Sequence, residues 1–571
     1  MSNSAGIDIH DNSFGFIRVA SAVPTVFVAS PHRNAEQMID IGLEAAGQGV
    51  QVILFPEMSM TGYSCADLFN QLWLRDEALD GLALFLDKTR SLGMVSILGI
   101  PLQADQQLFN VAVVVCQGRI LGIIPKTYIP GYKEFYEPRW FSPAKNLCSP
   151  MIELLGQATP IGTDLLVRTN VANLTIGIEI CEDLFMSIPP SSLHACNGAT
   201  LLLNLSASPE TIAKADYRRA LVGNQSARCN AAYIYASSSS CISAGDSGES
   251  TADVVFGGHA IIADYGTIIA ESKRFASTPQ LIVADIDVER LMHERTLTDS
   301  WAQSVATWSR PYRILTADVQ PLNVKAGLRH HVEPLPFAPR EPERLDERCR
   351  EVLAIQQAGL SRRLRHVQAT ARSKQPVRVA IGVSGGIDST LAFLVTAATY
   401  DQLNWDRHNI IGVTMPGFGT TTRTHQNAEK LCSRLGVDFR EIPIRDAVLQ
   451  HLKDIGHEPC FHCLVCENAQ ARERTQILMD HGFTIGTGDL SEIALGYSTY
   501  NADQQSMYNV NAGVPKTLVR HVVAWSAGSS GWPQAVQEIL RDILATPSSP
   551  ELMVPKPDEP TVTAETLIGP Y

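Results

Sequence analysis

The sequence predicts an α/β protein with two successive domains, each of which carries its functional side chains at strand ends. Short apolar strands alternate with helical stretches over residues 14–320, and a second alternation of this kind begins near Asp346. The intervening residues 321–345 are rich in proline and charge, which is typical of a linker. We therefore expect one domain at residues 12–320 and another at residues 346–571.

The composition argues against two classes of function. The 571 residues include 46 basic and 59 acidic side chains, and no basic cluster that would bind nucleic-acid phosphates is visible. Apolar runs such as 111–116 and 201–205 are far shorter than the ~20 residues that span a bilayer. Residues 1–13 lack the basic and apolar regions of a secretory signal. We expect a soluble protein that binds neither nucleic acid nor membrane.

Twelve cysteines are too sparse here for a disulfide scaffold, so we expect reduced thiols in a cytoplasmic compartment. Cys460, Cys463 and Cys466 form a C-x2-C-x2-C run with His457 and His462 interleaved. Zinc sites usually combine two separated pairs of ligands, and there is no second pair nearby in the sequence. The sequence alone therefore assigns no role to this run.

In the first domain, apolar runs end just before Glu57, Lys126 and Cys181. The runs 110–116 and 119–124 flank a Gln-Gly pair, which predicts a β-hairpin whose second strand leads to the lysine. Ligand sites in layered α/β folds gather in the loops at the carboxyl ends of strands. We therefore expect these three side chains to meet at one site.

Glu57, Lys126 and Cys181 together meet the requirements of nucleophilic catalysis. A cysteine needs a base that takes its proton and a donor that stabilises the oxyanion. A carboxylate can be that base, and a fixed ammonium can stabilise the tetrahedral intermediate. Taken singly, each residue also fits a structural role, as a packed cysteine, a helix-capping carboxylate or a surface lysine.

The segments FPEMSMTGY (55–63), PKTYIPGYKEFYE (125–137) and IGIEICEDLF (176–185) together resemble the nitrilase superfamily. This resemblance implies an α-β-β-α sandwich that hydrolyses a C–N bond through a cysteine thioester. It also implies that Glu134 is the supporting carboxylate that orients Lys126. The positions that it implies for binding a glutamine substrate are Tyr132, Glu182, Ser208 and Lys214.

In the second domain, the strand 377–383 runs into a glycine-rich loop and then into an apolar helix, 391–399. The loop consists of Ser384, Gly385, Gly386, Ile387, Asp388, Ser389 and Thr390. Its glycines let backbone N–H groups face an anion, and the helix N-terminus favours negative charge. Asp388 could hold Mg²⁺. The loop lacks the lysine of a nucleotide P-loop and the G-x-G-x-x-G of a Rossmann turn, so neither motif applies. The alternative to an anion-binding loop is an ordinary strand–helix turn.

The S-G-G-x-D-S-T string resembles the ATP pyrophosphatase family, whose members adenylate a substrate and release pyrophosphate. The segments ENAQARER (467–474), IGTGDLSEIALGYSTYNAD (485–503) and MYNVNAGVPKTLVR (507–520) closely resemble NAD synthetases. Asn468 and Arg472 are spaced to share one helix face, where an amide and a guanidinium could bind a dinucleotide.

The second resemblance implies roles for individual residues. For ATP it implies the 384–390 loop together with Met415, Thr487 and Lys516. For deamido-NAD it implies Asn468, Arg472, Glu492, Tyr500 and Asp503. For a metal ion, taken to be Mg²⁺, it implies Asp388 and Glu492.

Together, the two resemblances imply the arrangement of glutamine-dependent NAD synthetases, with a doubly wound parallel sheet in the second domain. Such an enzyme amidates deamido-NAD with ammonia from glutamine, consumes ATP, and releases AMP, pyrophosphate and glutamate. We also expect a homo-oligomer formed through the synthetase domains. The alternatives left open are an amidotransferase for another adenylated carboxylate, a glutamine amidohydrolase with an impaired synthetase half, and a non-catalytic assembly subunit.

Two features depart from the family pattern. The stretch 475–486 is shorter than usual, which predicts a shortened helix around Arg472. The sequence ends at ETLIGPY (565–571), where family members continue into a segment with basic contacts for the nicotinate carboxylate. We therefore expect intact glutamine hydrolysis and weak binding of deamido-NAD.

Overall fold

A computed structural model describes residues 13–240, 248–339, 341–371, 375–420, 422–460, 463–502, 504–528, 531–546 and 552. The chain forms two compact units that divide after His331. Among the described residues, no helix combines the length and the apolar character needed to cross a lipid bilayer.

The first unit is built from β-sheets with helices on their outer faces. Its strands are β1 (Phe16–Val23), β2 (Val52–Leu54), β3 (Val95–Ala104), β4 (Gln107–Cys116), β5 (Arg119–Pro125), β6 (Met151–Leu154), β7 (Gln157–Pro160), β8 (Leu165–Thr169), β9 (Thr175–Ile180), β10 (Leu201–Ser206), β11 (Ala232–Ser237), β12 (Ile261–Asp264), β13 (Thr267–Glu271), β14 (Gln280–Asp287) and β15 (Arg313–Ala317). Its helices are α1 (Pro31–Gly47), α2 (Leu72–Lys88), α3 (Pro190–Cys196), α4 (Lys214–Arg228), α5 (Val288–Leu297) and α6 (Asp299–Trp308).

The main sheets of this unit have the strand orders β14-β1-β2-β3-β4-β5 and β13-β12-β11-β10-β9-β8-β15. Their facing sides share one apolar core, in which Val19 of the first sheet and Ile178 of the second are buried. On the outer face of the first sheet, α1 and α2 bury side chains such as Phe85, and α3 and α4 bury side chains such as Val222 on the second. This layering confirms the α-β-β-α sandwich.

Strand ends in the sandwich position the reactive side chains. The hairpin between β4 and β5 forms around Gln117 and Gly118, whose positive φ angles of 49° and 72° suit a tight two-residue turn. Strand β5 ends immediately before Lys126, and β9 ends immediately before Cys181. The polypeptide therefore delivers both residues from rigid strands.

The second unit also alternates strands and helices. Its strands are β16 (Val379–Gly382), β17 (Ile410–Thr414), β18 (Asp438–Glu441), β19 (Phe483–Gly486) and β20 (Tyr508–Asn509). Its helices are α7 (Pro342–Thr370), α8 (Ile387–Leu403), α9 (Thr422–Leu435), α10 (Arg445–Asp454), α11 (Leu464–His481), α12 (Leu490–Leu495), α13 (Lys516–Ser526) and α14 (Gln534–Leu544).

The sheet of the second unit has the order β18-β17-β16-β19-β20, and neighbouring strands pair in parallel. Apolar clusters lie on both faces, one with helices that include α8 and α13 and another with α10 and α11. The doubly wound parallel sheet is confirmed. Strand order reverses at β16, so the 384–390 loop lies at the switch point where such sheets bind ligands. Helix α11 extends over 18 residues and continues well past Arg472.

Candidate active sites

The structure brings Glu57, Lys126 and Cys181 together beyond the ends of β2, β5 and β9. Lys126 Nζ lies 2.7 Å from Glu57 Oε1, and both side chains are completely buried. Cys181 is 5% exposed, and its thiol lies close enough for both charges to influence its pKa. The three residues thus form one enclosed cluster of nucleophile, carboxylate and ammonium.

Hydrogen bonds from β4 and from the residue that follows β10 fix the carboxylate of Glu57. The Asn110 side-chain amide donates to Glu57 Oε1 at 2.6 Å, and the backbone N–H of Ala207 donates to Oε2 at 2.8 Å. Lys126 also donates to Oε1. A buried carboxylate needs such donors because it has lost its hydration. They hold Glu57 in position to accept a proton.

A second carboxylate, Glu137, also binds the ammonium of Lys126. Lys126 Nζ lies 2.6 Å from Glu137 Oε1, and the Tyr63 hydroxyl donates to the same oxygen at 2.8 Å. Burial lowers the pKa of Lys126, but the charges of Glu137 and Glu57 outweigh burial and hold it well above the ordinary value. Lys126 therefore stays charged inside the protein.

Backbone geometry at Cys181 turns the chain sharply out of β9. The residue has a φ of +45°, a left-handed conformation that is rare outside glycine, and it begins the 3-10 turn Cys181–Phe185. Its N–H donates to Asn204 Oδ1 at 3.1 Å, and Asp183 accepts the N–H of Tyr128 at 2.9 Å. Strain of this kind is characteristic of functional sites.

The electrostatic environment keeps Cys181 protonated at rest. Burial and the Glu57 charge together raise the pKa of the Cys181 thiol to about 12, although the Lys126 charge opposes both. A free thiolate is therefore scarce at neutral pH, so the reaction requires a base beside the thiol. Glu57, whose charge acts on the thiol, is the candidate for that base.

Residues of opposite charge lie next to this cluster. The Tyr132 hydroxyl donates to both oxygens of Glu182, at 2.9 and 3.1 Å, and burial raises the pKa of Glu182. Lys214 begins α4, and burial lowers its pKa. Ser208 is buried, and its N–H donates to Ser237 Oγ at 3.2 Å. An amino acid, with its ammonium and carboxylate, matches this pair of charges.

In the second unit, the 384–390 loop requires glycine at its centre. Gly385 has a φ of +78°, and a Cβ atom there would lie 2.3 Å from the carbonyl oxygen of Thr424. The Gly386 N–H donates to Ser384 Oγ at 3.1 Å, and the Ser389 hydroxyl donates to the Gly386 carbonyl at 3.1 Å. Because the 17-residue helix α8 begins at Ile387, the loop lies at a helix N-terminus, where anions are favoured.

A cluster of carboxylates lies beside this loop around Lys516. Its Nζ is 2.6 Å from Asp388, 2.7 Å from Asp489 and 3.0 Å from Glu492. Asp489 is the N-cap of α12, where its side chain accepts the N–H of Glu492. Burial raises the pKa of Asp388 and of Glu492, and the Lys516 charge opposes that effect.

The carboxylate cluster has the donor set of a divalent cation. One oxygen from each of Asp388, Asp489 and Glu492 lies within 4.8 Å of the others. Asp388 Oδ1 is buried and has no hydrogen-bond partner within the part of the chain that the structure describes. Carboxylate oxygens are the ligands that Mg²⁺ prefers, so the residues present fit that ion.

Asn511 connects two parts of this site. Its side-chain amide donates to the carbonyl oxygens of Asp388 at 2.9 Å and of Thr487 at 3.0 Å. Gln356 in turn donates to Asn511 Oδ1 at 3.1 Å. The structure therefore brings Thr487 to the loop through an asparagine bridge.

The other residues that the resemblance implies for ATP and deamido-NAD belong to different parts of the second unit. Met415 is buried directly after β17. Asn468 is half-buried and Arg472 exposed on α11, one turn apart. Tyr500 is 81% exposed. Asp503 lies outside the described residues.

Comparisons with known proteins match each unit of the chain to a family. Residues 18–293 match the carbon-nitrogen hydrolase family, and residues 360–565 match the NAD synthase family. The chain is 39% identical to the glutamine-dependent NAD(+) synthetase of Mycobacterium leprae, over 98% of this chain and 82% of the relative. It is 29% identical to the Thermotoga maritima protein of that name, over 92% and 83%.

The chain belongs to the glutamine-dependent NAD(+) synthetase family. Among solved structures, it is similar to a glutamine-dependent NAD(+) synthetase from Cytophaga hutchinsonii. That similarity has 21% identity and a TM-score of 0.42, and covers 93% of this chain and 84% of the other.

One residue assignment within this synthetase needs correction. The resemblance implies Glu134 as the partner of Lys126, whereas in the structure Glu137 lies beside Lys126, at 2.6 Å. Glu134 is half-buried and acts electrostatically on Lys214 and Tyr132 instead. The reason is local: both glutamates follow an irregular segment, and only Glu137, at the start of a 3-10 turn, is directed into the sandwich.

Several partners in the synthetase sites were missed by sequence reasoning. Asn110 and Asn204 each interrupt an otherwise apolar strand, in FNVAVVV and LLLNLS. A polar residue in a buried strand usually has a specific partner, and that signal could have identified both. Asp489 precedes a helix as an N-cap aspartate, and the capping pattern Asp489…Glu492 could have identified it as a neighbour of Glu492.

Proposed function

We propose that this synthetase converts deamido-NAD to NAD⁺ with ATP and with ammonia that it releases from glutamine. The products are AMP, pyrophosphate and glutamate. The observation that carries the proposal is that one chain combines the enclosed Glu57–Lys126–Cys181 cluster with the 384–390 loop and its carboxylates. The first cluster suits amide hydrolysis, and the second suits adenylation of a carboxylate.

Glutamine hydrolysis follows from the contacts in the first unit. Glu57 takes the proton of Cys181 as Sγ attacks the carboxamide carbon, and Lys126 stabilises the oxyanion. Glu57 returns the proton to the amide nitrogen, the C–N bond breaks, and ammonia leaves a thioester on Cys181. Water, deprotonated by Glu57, then attacks the thioester, which releases glutamate and restores the thiol.

Substrate selection by the first unit follows from charge. We assign Lys214 to the α-carboxylate of glutamine and Glu182 to its α-ammonium, because each would pair with the opposite charge in a largely buried place. Tyr132 orients Glu182 through its hydroxyl. We also assign Ser208 to glutamine binding.

Adenylation would occur in the second unit. A carboxylate oxygen of deamido-NAD attacks the α-phosphorus of ATP, and the bond to pyrophosphate breaks. The loop N–H groups, Ser384 and Lys516 stabilise the departing charge. Ammonia then attacks the acyl carbon, AMP leaves, and the surplus proton passes to solvent.

We further propose that Asp388, Asp489 and Glu492 hold Mg²⁺, which would neutralise charge on the phosphate oxygens. Asn468 and Arg472 are proposed to contact the dinucleotide from α11. Tyr500 and Asp503 are proposed to contact the dinucleotide as well. Met415 and Thr487 are proposed to border ATP.

Further proposals concern the molecule as a whole. We propose domains at 12–320 and 346–571 with a linker at 321–345. Cysteine thiols such as Cys181 and Cys432 suggest a reducing cytoplasm as the location. We propose a homo-oligomer through the synthetase domains because exposed apolar side chains accumulate there, namely Leu490, Ile493, Leu495, Tyr497 and Tyr500.

A coupled assay tests the proposed function. The chain is incubated with ATP, Mg²⁺ and deamido-NAD, first with glutamine and then with ammonium, and all products are quantified. We expect NAD⁺, AMP and pyrophosphate in equal amounts with either nitrogen donor. If pyrophosphate exchanged into ATP in the presence of another carboxylic acid, but not in the presence of deamido-NAD, the chain would be an amidotransferase for that other acid. Glutamate without NAD⁺ would identify an amidohydrolase.

A further inference from the structure

A cluster of sulfur and imidazole side chains lies between the end of α10 and the first turn of α11, and the proposed mechanism uses none of them. It consists of His457, Cys460, Cys463 and Cys466. One ligand atom from each lies within 4.8 Å of the other three. His457 Nε2 is 3.2 Å from Cys463 Sγ, and the Sγ atoms of Cys460 and Cys466 are 4.0 Å apart.

These separations are close to those in a tetrahedral zinc site. Zn–S bonds of about 2.3 Å and Zn–N bonds of about 2.1 Å place neighbouring ligand atoms roughly 3.5–3.8 Å apart. The 3.2 Å and 4.0 Å separations lie on either side of that range. A small adjustment of side chains would bring all four atoms within bonding distance of one ion.

The end of α10 fixes the position of His457. The His457 N–H donates to the Leu452 carbonyl at 2.9 Å, and the Gly456 N–H donates to the Lys453 carbonyl at 3.1 Å. Gly456 has a φ of +69°, so these bonds form a Schellman motif. The backbone of His457 is therefore fixed to the last turn of α10 by the hydrogen bond that closes this motif.

The start of α11 fixes two of the cysteines. Cys463 is the N-cap of the helix, and its carbonyl accepts the Glu467 N–H at 3.1 Å. Cys466 lies in the first turn and is completely buried in the apolar cluster that includes Val448 and Leu452 of α10. A helix N-terminus also stabilises thiolates, which are the form that binds metal.

We propose that His457, Cys460, Cys463 and Cys466 form a structural Zn²⁺ site that joins the end of α10 to the start of α11. Thiolates with one imidazole in a closed tetrahedral set favour Zn²⁺ over Mg²⁺ or Ca²⁺, which prefer oxygen. The spacing H-x2-C-x2-C-x2-C differs from the two separated ligand pairs of most zinc sites. It differs because these ligands come from the end of one helix, the start of the next and the residues between them.

The site has a structural consequence for the helix that follows it. Asn468 and Arg472 lie on α11, in the two turns after Cys466. A metal bound at the first turn would prevent that end of the helix from fraying, and would keep both side chains in position. Their role toward the dinucleotide rests on the proposed function, whereas the metal site itself does not.

Metal content and spectroscopy of the whole chain test the proposal directly. The chain is prepared without an affinity tag, stripped with a chelator under reducing conditions, reloaded with Zn²⁺ and gel-filtered before elemental analysis. We expect one Zn²⁺ per chain. Co²⁺ in place of Zn²⁺ should give the intense visible bands of a tetrahedral ion and near-ultraviolet sulfur-to-metal charge transfer.

Matched variants separate the cluster from other residues. Cys460→Ser and His457→Ala should each weaken Zn²⁺ binding at least about 100-fold, since even outer-shell changes cost 10–100-fold. Cys148→Ser, at an exposed cysteine in the other unit, and His451→Ala, on the exposed side of α10, should change nothing.

Several outcomes would overturn the site. Wild-type chain that retains no Zn²⁺, Co²⁺ spectra without sulfur charge transfer, or equal metal content in all variants would each contradict it. A metal-free native chain with a Cys460–Cys466 disulfide would show that the cysteines pair with one another instead. The wild-type Co²⁺ spectrum decides the matter even if a variant fails to fold.

Discussion

The ammonium of Lys126 depends on the carboxylates of Glu57 and Glu137 for its charge and position. Glu137→Gln removes one of these charges and leaves the shape nearly unchanged. A lost charge-assisted hydrogen bond costs about 1.5–3 kcal/mol, so we expect kcat for glutamine hydrolysis to fall tenfold to a hundredfold. Steady-state release of glutamate measures this change.

Glu134→Gln is the matched control for that variant. Glu134 makes no contact with Lys126 among the described contacts, so we expect a much smaller change in kcat. If Glu134→Gln lost more activity than Glu137→Gln, the assignment of Glu137 as the partner of Lys126 would be wrong.

Asp489 provides a second test at the level of one side chain. Asp489→Asn keeps an N-cap for α12 but removes a carboxylate that lies 2.7 Å from Lys516. We expect NAD⁺ synthesis from glutamine and from ammonium to fall at least about tenfold, with a higher Mg²⁺ requirement, because the variant lacks one of the three carboxylates that we propose as Mg²⁺ ligands. Glutamine hydrolysis should persist. An unchanged Mg²⁺ dependence would remove Asp489 from the metal position.

At the scale of secondary-structure elements, the turn between β16 and α8 depends on Gly385. Gly385→Ala places a Cβ 2.3 Å from a backbone oxygen of Thr424 at a φ of +78°. We expect ATP binding to be lost and the free energy of unfolding of this unit to fall by at least about 1–2 kcal/mol. Calorimetric titration with ATP and urea unfolding measure both effects.

The neighbouring glycine is the control for this element. At Gly386 a Cβ would meet only the Ser384 hydroxyl, at 3.2 Å. Gly386→Ala should therefore destabilise the unit less than Gly385→Ala. Equal loss of stability in the two variants would contradict the steric argument.

Helix α3 gives the sandwich a pH-dependent stability through His194. Burial lowers the pKa of His194 to about 4, against an ordinary value near 6.5. Above pH ~6.5 the imidazole is neutral in both states, but below it the unfolded state binds a proton first. The free energy of unfolding should therefore fall as the pH drops from ~6.5 to about 4, by up to ~1.4 kcal/mol per pH unit from this group.

Hydrogen exchange of α3 and β9 amides at several pH values measures this slope. His194→Leu, which cannot titrate, should flatten it, and His32→Leu, at an exposed position on α1, should not. A slope that survives in His194→Leu would exclude His194 as its source.

Part of this architecture was accessible from the sequence. Apolar runs and turn residues predicted the strands that end at Glu57, Lys126 and Cys181, because strand periodicity and hairpin chemistry are local. Glu137 was missed because an irregular segment has no periodicity that reveals which side chain turns inward. The arrangement of Cys460 and its neighbours depends on how α10 and α11 pack, which the spacing of ligands does not encode.

At the scale of the whole molecule, the two chemistries belong to separate compact units. Cys181→Ala removes the nucleophile of the first unit and leaves the residues of the second unchanged. We expect NAD⁺ formation from glutamine to disappear and formation from ammonium to persist at a similar rate. Loss of both activities in a folded variant would contradict this division.

Transfer of nitrogen from glutamine into NAD⁺ tests the proposed reaction most directly. The wild-type chain is given deamido-NAD, ATP, Mg²⁺ and glutamine labelled with ¹⁵N in its side-chain amide, and the NAD⁺ formed is examined by mass spectrometry. We predict that the carboxamide of NAD⁺ carries the label and that Cys181→Ala yields no labelled product. Glutamate release without ¹⁵N in NAD⁺, or labelled NAD⁺ from Cys181→Ala, would contradict a synthetase that uses Cys181 to supply its ammonia.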